Sequence, residues 1–226
     1  ISSAASDGYK RRAVSDECGP GVGATGASGR VVAAEDIDRA ATAIRDGDLV
    51  VYPTETVYGL AGDAADRDAV ERVFEAKDRS RDKPLSMAVP DVDSALDYTC
   101  PSEREERFMR EFLPGPVTVV VDRWELLPDA LTSGKPKVGI RIPDHPVALA
   151  LLERVAPLTA TSANISGNPS ATTVGELDAI AATVTSVLDA GETDGGTGST
   201  VVDVAAGDII RRGANADAVE AWLAEH

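Results

Sequence analysis

Residues 49–62 read LVVYPTETVYGLAG, and the rest of the chain is arranged around them. Leu49, Val50, Val51 and Tyr52 form a short apolar, β-branched run between Gly47 and Pro53, the pattern of a buried strand. Pro53 has no N–H to give to a ladder and ends the strand. Thr54, Glu55 and Thr56 then arrive together, followed by Tyr58 and a Gly59/Gly62 pair that lets the backbone turn or approach a ligand closely. Polar groups at the carboxyl end of a strand, just before a helix, are where open α/β sheets bind ligands; an ordinary β-to-α loop would read the same way.

Upstream, Ile37, Ala40, Ala41 and Ile44 repeat at helical spacing, and Gly47 closes that helix. Downstream, residues 66–77 read as a second helix with Val70, Val73 and Phe74 on one face. Lys77 follows Val73 by four residues and Val70 by seven, so it shares that inward face and needs a partner there. Further strands are expected at 84–89, 117–121, 138–142, 158–161, 186–188, 199–204 and 209–211. Helices are expected at 91–98, 102–112, 174–184 and around Ala218, Val219, Trp222 and Leu223. In 138–142, Val138, Ile140 and Ile142 share one face and Arg141 takes the other. Pro143 ends that strand, Asp144 is expected to cap the next helix, and Pro146 suits its first turn. Residues 205–208 read as a hairpin connection. This βα alternation with a late hairpin predicts one α/β domain over 31–226, with a mixed parallel and antiparallel sheet flanked by helices. Residues 1–30, rich in Ser, Gly and Ala, read as a flexible tail. Within them GVGATG (21–26) matches the dinucleotide pattern G-x-G-x-x-G, but no strand pattern precedes it and no helix pattern opens from it, so the match is rejected.

Composition bounds the function. No apolar run approaches the roughly 18 residues of a membrane span, and no signal-peptide pattern opens the sequence, so a cytoplasmic protein is expected. Cys18 and Cys100 lack metal-ligand spacing. The net charge of −16 argues against polyanionic partners, yet five lysines stand against 17 arginines with Asp in excess of Glu. An acidic, lysine-poor surface is what adaptation to strong salt produces, as in a halophilic archaeon, so local departures from it carry the functional signal. The sharpest is KDRSRDK (77–83). In an extended segment Lys77, Arg79, Arg81 and Lys83 would point to one side, a repulsive row unless an anion such as a triphosphate sits among them. A solvated loop neutralised by its own aspartates would be the plain alternative. TSANISG (161–167) offers small hydroxyl and amide groups after a strand, suited to phosphate, ribose or carboxylate. Arg141 and Arg211 each sit on a strand that can aim a long cation. His145 reads as structural, and no Ser/His/Asp, Cys/His or metal-cage pattern appears, which disfavours covalent catalysis.

YPTETVYGL (52–60), KDRSRDKPL (77–85), PGPVT (114–118), RIPDHP (141–146), TSANISG (161–167), STVVD (199–203) and IIRRG (209–213), in this order, resemble the YrdC/Sua5 family. The resemblance spans roughly 35–213 and is to the single-domain YrdC type. It implies a YrdC/RibB-like fold with a concave cleft and an L-threonylcarbamoyladenylate synthase, a nucleotidyltransferase. L-threonine, bicarbonate or CO2, and ATP with Mg2+ would give threonylcarbamoyl-AMP and pyrophosphate, the first step of the tRNA modification t6A. It further implies that Thr54, Thr56, Arg141, Ala160 and Ser199 serve the threonine, with Arg141 on its carboxylate. Lys77, Arg79, Lys83, Ser162, Asn164, Ser170 and Arg211 would serve ATP, with Lys77 and Arg79 catalytic and no metal ligand of importance from the protein. A downstream threonylcarbamoyl transferase complex is the implied partner, and tRNA a possible one. Two departures stand out. Ser86, Met87 and Ala88 replace a His that some members carry after the basic segment, and Arg212 replaces a proline before Gly213, leaving the roles of Arg211 and Arg212 open. The alternatives are a non-catalytic RNA-binding module of the same fold, or the carbamoyl-adenylate domain of hydrogenase maturation proteins, whose cysteine-rich zinc modules Cys18 and Cys100 cannot supply.

Overall fold

The computed structural model describes residues 23–26 and 29–226, and its centre is the apolar run of the opening motif, folded as the strand β3 (Val50–Tyr52). Ahead of it lie a two-stranded ribbon, β1 (Ala24–Thr25) with β2 (Val31–Val32), and helix α1 (Ala34–Arg45). After it come β4 (Gly59–Ala61), α2 (Arg67–Ala76), β5 (Ser86–Ala88), α3 (Val92–Leu96) and α4 (Glu103–Phe112). Then follow β6 (Val117–Asp122), α5 (Asp129–Thr132), β7 (Lys137–Arg141), α6 (Pro146–Arg154) and β8 (Leu158–Ser162). The chain continues through two 3-10 turns, Val174–Glu176 and Asp178–Thr183, to β9 (Ser186–Val187), β10 (Thr200–Asp203), β11 (Asp208–Arg211) and α7 (Ala216–Glu225).

Nine strands form one mixed sheet in the order β11-β10-β6-β7-β5-β8-β4-β3-β9. The pairs β10–β6, β5–β7 and β3–β9 are parallel and the other five antiparallel. Side-chain alternation divides the apolar residues into two layers. On one face Val51, Leu60, Met87, Val119, Ile140 and Val202 pack under Val70, Val73 and Phe74 of α2, Phe108 and Met109 of α4, and Val219 and Trp222 of α7. On the other, Val50, Tyr52, Ala61, Ala88 and Leu158 pack under Ile37, Ala41 and Ile44 of α1 and Val147, Leu151 and Leu152 of α6. No residue of β6, β7, β10 or β11 joins this second layer. Among the described residues, half of that face therefore lies without a helix packed on it, and Thr118, Gly139 and Arg141 line it together with Val120 and Val201.

Some expectations change. The segment after Pro53 does not run on into a helix: Gly59–Ala61 returns as β4, antiparallel to β3, because three buried residues suffice for a strand yet are too few to show a period. The helix expected at 174–184 is two 3-10 turns, with Gly175 weakening the first. His145, not Asp144, caps α6, its Nδ1 accepting from Val147 N at 3.2 Å, because the helix opens at Pro146 and Asp144 lies one residue ahead of the cap position. Residues 1–22 and 27–28 of the expected tail, with Cys18, Gly21 and Val22, lie outside the described residues. Ala24–Thr25 of the rejected glycine motif is itself a strand, so the ordered ribbon begins ahead of the expected boundary at 31.

Candidate active site

The uncovered half-face is floored by β7, β6 and β10, with Ser86 of β5 at its margin. Gly139 keeps it flat: a Cβ there would lie 2.6 Å from Ser86 Oγ and 2.9 Å from Thr118 Cγ2. Arg141 stands opposite Thr118 and beside Ala88 in the register. It is only 6% exposed, and its guanidinium is spoken for by protein: Nη1 donates to Gly115 O and to Val117 O (3.1 Å), while Nη2 lies 2.9 Å from Glu55 Oε2. Burial pushes Arg141 toward neutrality and the Glu55 carboxylate opposes that shift. The Tyr52 hydroxyl, buried near this pair, is pushed up to about 12, chiefly by burial.

Thr118 Oγ1 is 2.8 Å from Ser199 Oγ, just before β10. A bulge at Ile210 re-registers β11 so that Arg211 pairs with Val201. Its Nη2 then donates to Ser199 O (2.8 Å) and Ser199 Oγ (3.1 Å). Arg212 instead pairs with Asp217 (2.6 Å) and Glu220 (2.8 Å) on α7, which assigns the site-facing role to Arg211.

The basic segment is not extended. Lys77 closes α2, Asp78 turns the chain at φ +47°, and the four cations separate. Arg81 doubles back to Glu71 at 2.7 Å and Glu75 at 3.8 Å, and the Lys83 side chain is exposed. Only Lys77 and Arg79 turn toward the site, which corrects the expectation of a single row. Arg79 Nε and Nη2 donate to Lys83 O and Pro84 O, both at 3.0 Å, and burial first, then the nearby Arg211 charge, push its guanidinium toward neutrality while Asp82 opposes them. Arg211 in turn is shifted down by burial and by Arg141. Arg79, Arg211 and Arg141 thus form a chain of cations that repel one another.

Lys77, inward as the helical spacing requires, is 1% exposed. Its ammonium finds carbonyls rather than a carboxylate: Nζ donates to Ser162 O and to Asn164 O (2.6 Å), while its own carbonyl accepts from Ser166 N at 2.8 Å. Burial first, and Arg79 second, push Lys77 down to about 8. The 161–167 loop is therefore pinned to the end of α2. Asn164 Nδ2 donates to Ile165 O (2.8 Å) and Asn168 O (2.9 Å), leaving Asn164 Oδ1 and Ser166 Oγ buried without a hydrogen-bond partner among the described residues. Ser170 is half-buried further along this loop, and Ala160 lies on β8 opposite Ser86.

Thr54 knots the 53–58 loop. Its hydroxyl donates to Val57 O (2.6 Å), accepts from Thr56 N and Val57 N (both 3.2 Å), and meets Thr56 Oγ1 at 2.9 Å. Loop 191–198 straps over it: Thr56 O accepts from Gly196 N (2.9 Å) and Thr193 Oγ1 (3.2 Å), and Tyr58 OH donates to Gly191 O (2.6 Å). At Gly195 a Cβ would stand 2.8 Å from Thr56 Cα and 2.9 Å from Glu55 O, both backbone. Gly195→Ala is therefore expected to lower anion affinity at the site at least tenfold while costing about 1–3 kcal/mol of stability, measured by calorimetry beside a thermal melt; wild-type affinity would show the strap to be irrelevant. Sequence reading did not assign Glu55, Thr118 or this strap to the site. Glu55 stood in the quoted motif, but only the fold brings its carboxylate to Arg141.

A family model named Sua5_yciO_yrdC, described as telomere recombination, matches residues 42–213. The threonylcarbamoyl-AMP synthase of Pyrococcus abyssi is 41% identical over 169 residues, 73% of this chain and 49% of that protein. The one from Bacillus subtilis is 40% identical over 179 residues, 75% of this chain and 50% of that protein. The chain thus spans about half the length of these relatives. A crystal structure of P. abyssi Sua5 complexed with L-threonine has a TM-score of 0.76 at 38% identity, covering 80% of this chain and 54% of that one.

Proposed function

The chain belongs to the Sua5/YciO/YrdC family, and from that premise we propose that it condenses L-threonine, bicarbonate or CO2, and ATP into threonylcarbamoyl-AMP, releasing pyrophosphate. The observation that carries this reading is the division of charge along the site, from the end of α2 to Arg141 on the uncovered sheet face. At one end Lys77, Arg79 and Arg211 lie together with no carboxylate among the described residues in ion-pair contact with them; at the other Arg141 is neutralised by Glu55. In a chain of net charge −16, mutually repelling cations persist where a polyanion docks between them.

Threonine's carboxylate is placed toward Arg141, beside Thr54, Thr56, Ala160 and Ser199. The triphosphate lies toward Arg79 and Arg211, and the nucleoside toward Ser162, Asn164, Ser166 and Ser170, where Asn164 Oδ1 and Ser166 Oγ await partners. Lys83 serves through its backbone, whose carbonyl holds Arg79. The carbamate formed on the threonine nitrogen attacks the α-phosphorus in line; its oxygen bonds to phosphorus as the bond to the bridging oxygen breaks and pyrophosphate leaves with that electron pair. The protein's part is to hold two anions in contact and to neutralise the charge gathering on the leaving oxygens, without a covalent intermediate.

Among the described residues no cluster of three or more His, Cys, Asp or Glu could cage a metal ion. Mg2+ would enter this site as a companion of ATP, further neutralising the phosphate charge beside Arg79 and Arg211. The acidic surface recommends assays in strong salt. Purified protein in molar KCl is expected to release pyrophosphate from ATP only when L-threonine and bicarbonate are both present; release without threonine, or none, would reject the reading. Transfer to tRNA would need a separate threonylcarbamoyl transferase that accepts the intermediate.

A further inference from the structure

We infer that Glu55 is a specificity-determining residue: by neutralising Arg141 it confines polyphosphate to the Arg79–Arg211 end of the face and reserves the Arg141 end for a substrate carrying one carboxylate. The inference rests on the reading above for the identity of the substrates, but not for the charge partition itself.

Glu55, in the loop between β3 and β4, reaches Arg141 although β5 and β8 lie between β7 and that hairpin in the sheet. Oε1 accepts from Asp144 N at 3.1 Å, while Oε2 lies 2.9 Å from Arg141 Nη2 as an ion pair that lacks hydrogen-bond geometry, so one side chain ties the backbone at Asp144 to the charge of Arg141. Its own placement is enforced from below by the Thr54 knot and from above by Gly195, whose backbone lies against Glu55 O. That much machinery around a single carboxylate exceeds what a surface ion pair receives.

The charges explain its use. Arg141 and Arg211 sense each other, and so do Arg211 and Arg79. Without Glu55, Arg141 would extend the cationic run of Lys77, Arg79 and Arg211 into one groove in which a triphosphate could bind in more than one register and cover the ground of the second substrate. With Glu55 the Arg141 end carries no net charge, while Gly115 and Val117 hold Nη1 and leave Nη2, ion-paired with Glu55 but without a hydrogen bond among the described residues, as the donor for a small acid.

Inorganic pyrophosphate is the probe, titrated by calorimetry against wild type, Glu55→Gln and the double variant Glu55→Gln/Arg141→Met, each in parallel with a thermal melt. Glu55→Gln is expected to bind pyrophosphate at least tenfold more tightly than wild type, to gain more thermal protection from it, and to lose that gain in the double variant, which removes the buried charge as a pair. In the coupled assay ATP should become an inhibitor competitive with threonine in Glu55→Gln but not in wild type. Unchanged or weaker pyrophosphate affinity in Glu55→Gln, or a gain that survives removal of Arg141, overturns the inference; a purely structural role for Glu55 would lower the melting temperature and leave the pyrophosphate isotherm unmoved. Should wild type bind pyrophosphate yet form no threonine-dependent product, the proposed function fails while the calorimetry still decides the role of Glu55.

Discussion

Arg79→Ala is expected to cut turnover by two to three orders of magnitude while shifting the melting temperature by no more than about 2–4 °C, the equivalent of about 1 kcal/mol in a chain of this size. The two effects separate because the guanidinium is placed at some electrostatic cost. Its bonds to Lys83 O and Pro84 O are partly solvated, so losing them costs about 1 kcal/mol or less. Relief of the repulsion from Arg211 offsets much of even that loss. In turnover nothing offsets the deletion: a donor aimed at charge that develops only as the phosphorus–oxygen bond breaks is worth about 3–4 kcal/mol where water is excluded. Pyrophosphate release and a thermal melt on the same preparation check it. Equal losses in both would place Arg79 among the structural cations, beside Arg81. Arg81→Ala is the control, because its partners Glu71 and Glu75 lie on the exposed side of α2.

The contrast between Arg79 and Arg81 marks the boundary of what the sequence made legible. Helical spacing identified Lys77 as inward, strand alternation isolated Arg141 from the apolar face of β7, and the 199–211 hairpin emerged with Arg211 on it, since each follows from a period of 3.6 or 2 that a local stretch reveals. The single row of cations did not survive, because strand geometry was assumed for a segment that begins as a helix end and turns at Asp78. Nor was the Glu55–Arg141 pair legible: residues 86 positions apart in the chain meet only once four strands are in order, and no local pattern encodes that. The Asp144 cap failed for a local reason, since α6 opens at Pro146 and leaves His145 in the cap position. The half-face left without a helix follows from topology, since α1 and α6 both pack on the β3–β8 side and nothing in either helix announces what it leaves uncovered.

Lys77→Ala is expected to behave differently from Arg79→Ala, lowering stability by about 3–5 kcal/mol as well as abolishing most activity. The side chain is buried along its whole length, so alanine leaves a cavity where the methylene stem packed. It also strands the Ser162 and Asn164 carbonyls, each of which loses a charge-assisted donor. The 161–167 loop would then be free to leave α2, taking Ser162 and Asn164 out of register with the cations. Lys77→Met keeps the stem and removes only the ammonium, so it is expected to recover about half of the lost stability but little of the activity. Alkali supplies an independent signature. The Lys77 amine sits at about 8 when folded against an ordinary 10.5, so between those values the unfolded chain holds a proton that the folded one has released. Stability contributed through this residue must therefore rise with pH across that window, whereas phosphate neutralisation by the charged ammonium must decline. Urea titrations at pH 7.5 and 9.5 should show wild type gaining on Lys77→Met at the higher pH. A methionine variant with wild-type stability and an identical pH slope would mean that the two carbonyl contacts do not hold the loop.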